Sequence, residues 1–462
     1  MLPLTSSCLP TFIHLAPHTA HILITIRKHI QRSMSALSPI PVCIVGFGNS
    51  ARTFHIPFIT ALPQLFTLHS IQQRPRTASN SSSPDASKLY PNLTVIPDFD
   101  SVLTTLPKGG LIIVTTTNDT HYPFAKRALE SGFNVLVEKP VATNSSDVQA
   151  LIDLQEKSGK LCAVYQNRRF DGDFLTIQSL LSDQGTEPSA LGVPTYFESR
   201  FDRFRPYAKG GWREEVDPDT QGGGMLWDLG SHLIDQALFL FGPPESVTGF
   251  VRNQRNQGPN AVDDDWLAIL NYPSSAPLPP SSPAAGSRIG GLRVSLGATC
   301  LSSHVDAEQP RFRIEGTRGA YEKRGTDPQE DQLKAGWTPS SHPEEFGVYS
   351  DTSDPDTVRL GRLTTMVRSD EDLAIPATGG ATPTQPKLSV ANIPTLPGRY
   401  IDLFANVANA INAGLEAEKQ GKSPAEALRQ VSLVGVERTL NAVKLIKLIR
   451  ESSVQGKTLQ WA

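Results

Sequence analysis

Cysteine is scarce in this sequence, acidic residues are missing from its beginning, and no uninterrupted apolar run is long enough to span a bilayer. The four cysteines among 462 residues are Cys8, Cys43, Cys162 and Cys300. They lie far apart with no CxxC pair, which argues against a disulfide framework and against a cysteine zinc site. Cys43 and Cys162 sit inside apolar runs and read as small buried hydrophobes in a reducing compartment. No Asp or Glu precedes Asp85. Residues 21–32 place Arg27, Lys28 and Arg32 among Ile22, Leu23, Ile24, Ile26 and Ile30, the acid-poor, basic amphipathic character of a mitochondrial transit peptide. The charge follows the apolar part, which excludes a secretory signal. His14, Pro17, His18 and His21 interrupt any membrane span. The other reading of residues 1–40 is a disordered extension, with Met34 as the working start. The expectation is a cytoplasmic protein, or a mitochondrial one if residues 1–33 are a transit peptide.

Excess charge is missing too. The formal net charge is -3, so nothing draws the chain to nucleic acid or to an anionic membrane, and a small neutral or anionic ligand is expected instead. Hydrophobic residues at 39% and charged residues at 19% describe a globular chain, and its length suggests two domains.

From residue 41 apolar strands alternate with helical segments. Val42-Cys-Ile-Val45, residues 66–71, 93–96, 111–115, 134–138 and 161–165 read as six strands. Helices are expected over 122–130, closed by Gly132, and over 146–157. Strands separated by helices imply a parallel, right-handed, doubly wound sheet. Residues 78–85, rich in Ser and Asn, form a loop. Beyond residue 167 apolar runs follow one another at 195–201, 246–251, 266–272, 292–300 and 312–314, which suggests a largely antiparallel open sheet. Residues 273–291 and 377–386 are proline-rich loops, and the tail returns to helix over 400–415 and 424–451. The fold class is therefore α/β, with a doubly wound parallel sheet followed by an α+β domain.

Gly46-Phe47-Gly48-Asn49-Ser50-Ala51 follows the first strand and precedes a helix. Gly46 permits the tight turn, Gly48 lets backbone amides approach a pyrophosphate, and Ala51 stands where helix and strand pack closely. The second strand runs into Gln72-Gln73-Arg74-Pro75-Arg76, without the acid that usually receives the ribose hydroxyls of NAD. Arg74 is placed to meet a 2′-phosphate, so NADP is favoured, with NAD as the alternative. Thr115, Thr116, Thr117, Asn118 and His121 follow the fourth strand at the edge where ligands bind. Glu138-Lys139-Pro140 follows the fifth, and Lys139 there is a cation for a substrate hydroxyl. In Gly222-Gly-Gly-Met-Leu-Trp-Asp228-Leu-Gly-Ser-His232-Leu-Ile-Asp235 a helix would put Asp228, His232 and Asp235 on one polar face. A histidine within reach of a carboxylate suits acid–base work near neutrality. The three glycines would allow close approach to a ligand. A metal site from Asp228 and His232 lacks a third ligand, so none is expected.

The Gly46 turn with Phe54-His55-Ile56-Pro57, the Glu138-Lys139-Pro140 triplet and Asp228-x-Gly230-x-His232 together resemble the Gfo/Idh/MocA family (glucose–fructose oxidoreductase, inositol dehydrogenase, MocA). The sugar-dehydrogenase-like branch is matched further by the run Tyr165–Phe174, by Phe201-Asp202-Arg203-Phe204-Arg205-Pro206, by Trp212-Arg213-Glu214 and by Gly325-Thr-Asp327-Pro-Gln329-Glu330. The resemblance runs from about residue 41 to the carboxyl terminus, outside the two proline-rich loops and the stretch 338–397. It implies a Rossmann domain over 41–166 and a substrate-binding and dimerisation domain over 167–462, with helices over 400–451. It also implies an NAD(P)-dependent oxidoreductase acting on a sugar or polyol CH–OH group, assembled as a homodimer or higher homo-oligomer. Lys139 and His232 would be catalytic, with Asp228 orienting His232 and stabilising its charged form. Asn167 would join the cofactor contacts. Arg168, Trp212, Arg213 and Asp235 would contact substrate, and Lys139–Pro140 would suit a cis bond. Two other functions remain open at this level: a lyase or hydrolase using bound dinucleotide for transient oxidation, and a non-enzymatic nucleotide-sensing regulator.

Overall fold

In the computed structural model the described residues are 38–75, 77, 84–182, 189–257, 262–273, 291–350, 352–367 and 387–461. Of the expected extension over 1–40 only 38–40 are described, with Ile40 already in the first strand; Arg76, residues 78–83, residues 274–290 of the proline-rich loop over 273–291, and the loop over 377–386 lie outside the described residues.

The first sheet contains β1 (Ile40–Val45), β2 (Phe66–Gln72), β3 (Thr94–Ile96), β4 (Leu111–Val114), β5 (Asn134–Val137) and β6 (Cys162–Val164). Its order is β3-β2-β1-β4-β5-β6, and every neighbouring pair is parallel. All four residues of β4 and of β5 are buried, as continuous apolar runs covered on both faces must be. The chain order reverses between β2 and β4 around β1, so a crevice opens at the carboxyl end of β1. Helix α1 (Asn118–Glu130) returns the chain from β4 to β5. Helix α2 (Ser145–Ser158) is capped by the Asn144 side chain, which accepts from the Asp147 amide. It stops at Gly159, whose φ of 60° is left-handed.

The second sheet has nine strands: β7 (Pro194–Arg200), β8 (Ser246–Arg252), β9 (Asp265–Asn271), β10 (Arg293–Thr299), β11 (Pro310–Gly316), β12 (Gly319–Arg324), β13 (Leu360–Met366), β14 (Leu388–Pro394) and β15 (Leu459–Gln460). Their order is β14-β13-β12-β11-β7-β10-β9-β8-β15. All pairs are antiparallel except β7 with β10. The sequence reading missed β12 to β15, because their burial is uneven; in β14 all but one residue is exposed. Helices α3 (Gly172–Leu181), α4 (Ser231–Phe241), α5 (Tyr400–Lys419) and α6 (Leu440–Gln455) complete this part.

The tail is not one helix over 424–451. It breaks after Val431 and resumes at Leu440. In the gap Val434 accepts a hydrogen bond from the Val164 amide at 2.8 Å, and Gly435 bridges Ala163. The open edge of β6 needs backbone partners, and this segment supplies them.

Candidate active site

A cleft of about 580 Å³ lies where the ends of β1, β4 and β5 face segments 201–214 and 222–232, a size suited to a small-molecule site. It gathers Asn49, Ser50, Thr115, Thr116, Asn118, His121, Glu138, Lys139, Asn167, Arg168, Arg213, Asp228 and His232, all singled out from sequence, into one wall-to-wall arrangement.

The first wall is built from backbone. Gly46 has φ of 90°, and a Cβ there would meet the Thr116 methyl at 3.0 Å and Thr115 Oγ1 at 3.2 Å. Thr115 Oγ1 donates to the carbonyls of Val45 and Gly46 at 3.0 and 3.1 Å, locking the turn. A Cβ on Gly48 would meet nothing within 4 Å, so the turn is open on its outer side, where a helix start presents unpaired amides. This cradle fits the pyrophosphate of a dinucleotide. Ala51 is fully buried, as the third position of the turn requires. Phe47 turns its ring onto Tyr90 instead of the cleft, with centroids 5.9 Å apart.

His121 joins the β4 and β5 loops, with Nδ1 2.7 Å from the Pro140 carbonyl and Nε2 3.1 Å from that of Thr116. Burial pushes its pKa down. The Lys139–Pro140 bond is cis. Glu138 receives His55 Nε2 at 2.9 Å and a short hydrogen bond from the Ser50 hydroxyl. Burial alone would raise its carboxyl, but His55, Ser50 and Lys139 outweigh it and bring it down to about 2. Glu138 therefore ties the glycine turn to the Lys139 loop as an ionised anchor. His55, fully buried against Tyr165, is the partner that sequence reading had left without a role.

The second wall is built from charge. Lys139 Nζ donates to the Asp228 carboxylate at 3.0 Å and to its carbonyl at 2.6 Å, and Arg213 reaches the same Oδ1 at 3.1 Å. Burial opposes ionisation of Asp228, yet Lys139 and Arg213 hold it well below the usual carboxylate range. The expected pairing of Asp228 with His232 does not occur. Residues Leu226–Gly230 form a π-turn before α4 begins, and the wider i→i+5 turn changes the spacing on which a helical i, i+4 pair depends. The Asp228 carboxylate goes to the two cations, and His232 Nδ1 is buried without a partner. Burial first, then Lys139, Arg168 and Arg311, pushes the His232 pKa well below its ordinary value. The ring is thus held neutral, without the Asp228 carboxylate that was expected to orient it and stabilise its charged form.

Asp235 is a further correction. It is buried and gripped by Arg169, Nε to Oδ2 at 2.6 Å and Nη2 to Oδ1 at 2.5 Å, and it does not line the cleft. The three glycines also differ from expectation. A Cβ on Gly222 would meet Thr143 at 3.0 Å, on Gly223 the Val216 carbonyl at 2.1 Å, and on Gly224 the Asp263 carboxylate at 2.3 Å. Gly222 and Gly224 still line the cleft, but the close approach that excludes a side chain at all three is to the protein itself. Asp263, missed from sequence, accepts from the Leu226 amide at 2.7 Å and from Arg450 at 2.7 Å, fixing the start of the Asp228 turn. Arg168 lines the cleft but is engaged by Glu330 at 2.7 Å and Asp171 at 3.4 Å. Thr117 and Arg74 are exposed and outside the cleft lining. Trp212 opens a short helix, and its side chain lies outside the described structure. Among the described residues no three His, Cys, Asp or Glu converge as metal ligands, and no helix is long and apolar enough to cross a membrane.

Comparison with known proteins agrees with this architecture. Residues 40–166 match the model described as oxidoreductase family, NAD-binding Rossmann fold. Residues 186–322 match the GFO/IDH/MocA C-terminal domain. The chain is 36% identical to the uncharacterized oxidoreductase C115.03 of Schizosaccharomyces pombe, over 81% of this chain and 90% of that protein. It is 29% identical to scyllo-inositol 2-dehydrogenase (NADP(+)) IolW of Bacillus subtilis, over 91% of this chain and 95% of that one. The solved structure of the Yersinia pestis protein YPO2259 superposes with a TM-score of 0.68 at 32% identity, covering 92% of this chain and 98% of that one.

Proposed function

The chain belongs to the GFO/IDH/MocA family of NAD(P)-dependent oxidoreductases, and from that premise we propose that it moves a hydride between NADP and a sugar or polyol CH–OH carbon, with Lys139, Asp228 and His232 at the reacting centre. The observation that carries this reading is the neutral, buried imidazole of His232 beside the ion-paired Lys139, in the same cleft as the Gly46 turn.

The nicotinamide, when bound, supplies the carbon that accepts or returns the hydride. The Gly46–Ser50 turn and Thr115 hold the dinucleotide. Lys139, fixed by the Asp228 carboxylate and carbonyl, presents its ammonium to the substrate oxygen and stabilises the alkoxide that forms as the O–H proton leaves and that collapses to the carbonyl as hydride departs from carbon. His232 accepts the hydroxyl proton. The cationic field that lowers its basicity also stabilises the alkoxide, so a weak base suffices. Asp228 acts on Lys139 and not on the imidazole.

The NADP preference rests on the end of β2. Gln72 gives its amide to the Pro97 carbonyl at 3.1 Å. Gln73 spans the Pro84 carbonyl and the Ala86 amide at 2.7 and 2.8 Å. The strand end itself, Gln72-Gln73-Arg74, carries no acid; Asp85, between the two residues that hold Gln73, caps the next helix by accepting from the Ser87 amide and hydroxyl at 3.1 and 2.7 Å, and Arg74 lies on the surface. The name of the Bacillus subtilis relative, an NADP(+)-linked inositol dehydrogenase, supports both the cofactor and the substrate class. The second sheet also presents an exposed edge at β14, with Leu388 and Val390 in solvent, which supports a homodimer or higher homo-oligomer through this sheet.

The test is NADP and NAD reduction across aldoses and polyols, and NADPH oxidation with the corresponding ketones. Turnover that requires His232 and Lys139 supports the reading. Conversion of a sugar with no net change in cofactor redox state would replace it with transient-oxidation chemistry.

A further inference from the structure

Most cations of the cleft have acidic partners. Lys139 and Arg213 share Asp228, Arg168 holds Glu330, Arg255 holds Glu214 and Asp264, and Lys334 holds Glu330. Arg203, Arg205 and Lys209 line the same cleft and form no ion pair among the described residues. Arg203 is the most telling. Its Nε is buried without a hydrogen-bond partner. The adjacent acid, Asp202, is taken by Arg200 through two contacts of 2.9 Å. The nearby Asp228 already serves two cations.

The placement follows from strand geometry. The segment after β7 continues along β10: Arg203 donates to the Thr299 carbonyl at 3.0 Å, and Arg205 donates to that of Cys300 at 2.7 Å. Phe204 bridges Leu301. Side chains alternate along an extended segment, so Phe201, Arg203 and Arg205 line the cleft while Phe204 is exposed. The backbone is pinned, which fixes the side of the segment from which both arginines enter the cleft, and the Arg203 guanidinium lies over the Phe201 ring at 5.9 Å. Among the charges that act on Arg203 are those of Arg205, Asp228 and Arg168, and Asp228 is the partner of Lys139, which associates the guanidinium with the Lys139 side of the cleft. A partly buried guanidinium whose nearby acid, Asp228, is already shared by Lys139 and Arg213 is under-compensated, and an anionic ligand would relieve that cost.

We propose that Arg203 and Arg205, with Lys209 at the mouth, form an anion subsite, and that the substrate is a sugar bearing a carboxylate or phosphate. This names the substrate class of the hydride-transfer reading and rests on it for the word substrate; the subsite itself is tested by binding. Calorimetric titration of the full-length protein loaded with NADP would compare D-glucuronate, D-glucose 6-phosphate and D-glucose. At least one anionic sugar is expected to bind about tenfold more tightly than glucose, with the advantage shrinking in high salt. The carboxylate and phosphate arms tell the two sources of charge apart. R203Q combined with R205Q is expected to bring the anionic sugars to within about twofold of glucose. Equal binding of all three, or an anion preference that survives the double substitution, overturns the subsite whatever the activity. Loss of NADP affinity instead of sugar affinity in the double variant also overturns it, by assigning the cations to the cofactor. The hydride-transfer reading is judged separately, by NADPH formation with the neutral and acidic sugars.

Discussion

The two walls of the cleft do different work with different materials. The wall from the first sheet offers a glycine turn, threonine hydroxyls and one fully satisfied carboxylate, Glu138, whose partners are all protein groups. The wall from the second part offers a neutral buried histidine, a doubly paired Asp228 and cations that lack partners. Backbone suits the part of the ligand that never changes, because amides in a rigid turn lose nothing on binding. Side-chain charge suits the part where bonds change and substrates differ, since small shifts in placement alter protonation.

That contrast predicts separable losses. The largest effect is expected for His232→Ala: turnover falls by about 10²- to 10⁴-fold, while the dissociation constant for NADP stays within about twofold. A parallel loss of NADP affinity would erase the distinction between the walls. Asp235→Ala should behave oppositely. It leaves Arg169 buried and unpaired, costing about 3–5 kcal/mol of stability, read as a lower urea midpoint. Weaker substrate binding with unchanged stability would return Asp235 to the substrate site. Gly46→Ala puts a side chain at positive φ against Thr116, and about 1–3 kcal/mol is expected as weaker NADP binding and a lower melting temperature, with the sugar contacts retained. Arg74→Ala should weaken NADP by about fivefold with little change for NAD; equal effects on both would remove the 2′-phosphate contact.

The smallest effect is a pH dependence. Burial lowers the His232 pKa in the folded chain, so below about pH 6.5 the unfolded chain binds the extra proton. Stability from this group is full at and above that pH and is lost as pH falls toward the folded value. Between about pH 7.5 and about pH 5.5 the wild type should lose about 1 kcal/mol more than His232→Gln. Asp327, raised to about 6 mainly by burial and by Asp173, has the opposite sign in its own window and is common to both proteins, so it drops out of the difference.

The first wall was largely legible in the sequence, and the second was not. Local spacing was enough for Gly46, Gly48 and Ala51, because a strand, a tight turn and a helix are consecutive and their constraints are local. Lys139 and His232 were legible as members of separate motifs. The partner of Asp228 was not, because it depends on a π-turn and on a lysine 89 residues away. The same holds for His55 with Glu138, for Arg169 with Asp235, and for Asp263 beneath the glycines. None of these pairings leaves a periodic trace along the chain.

By itself, then, the sequence determined the doubly wound sheet, the dinucleotide turn and the residue types that would do chemistry, since each is written in alternation or spacing over a few residues. Tertiary structure alone decided the distribution of charge: which carboxylate pairs with Lys139, why His232 is neutral, and which arginines face the cleft without an acid. Protonation and pairing depend on desolvation and on distances between remote segments, and those are set only when the two sheets and their loops pack together.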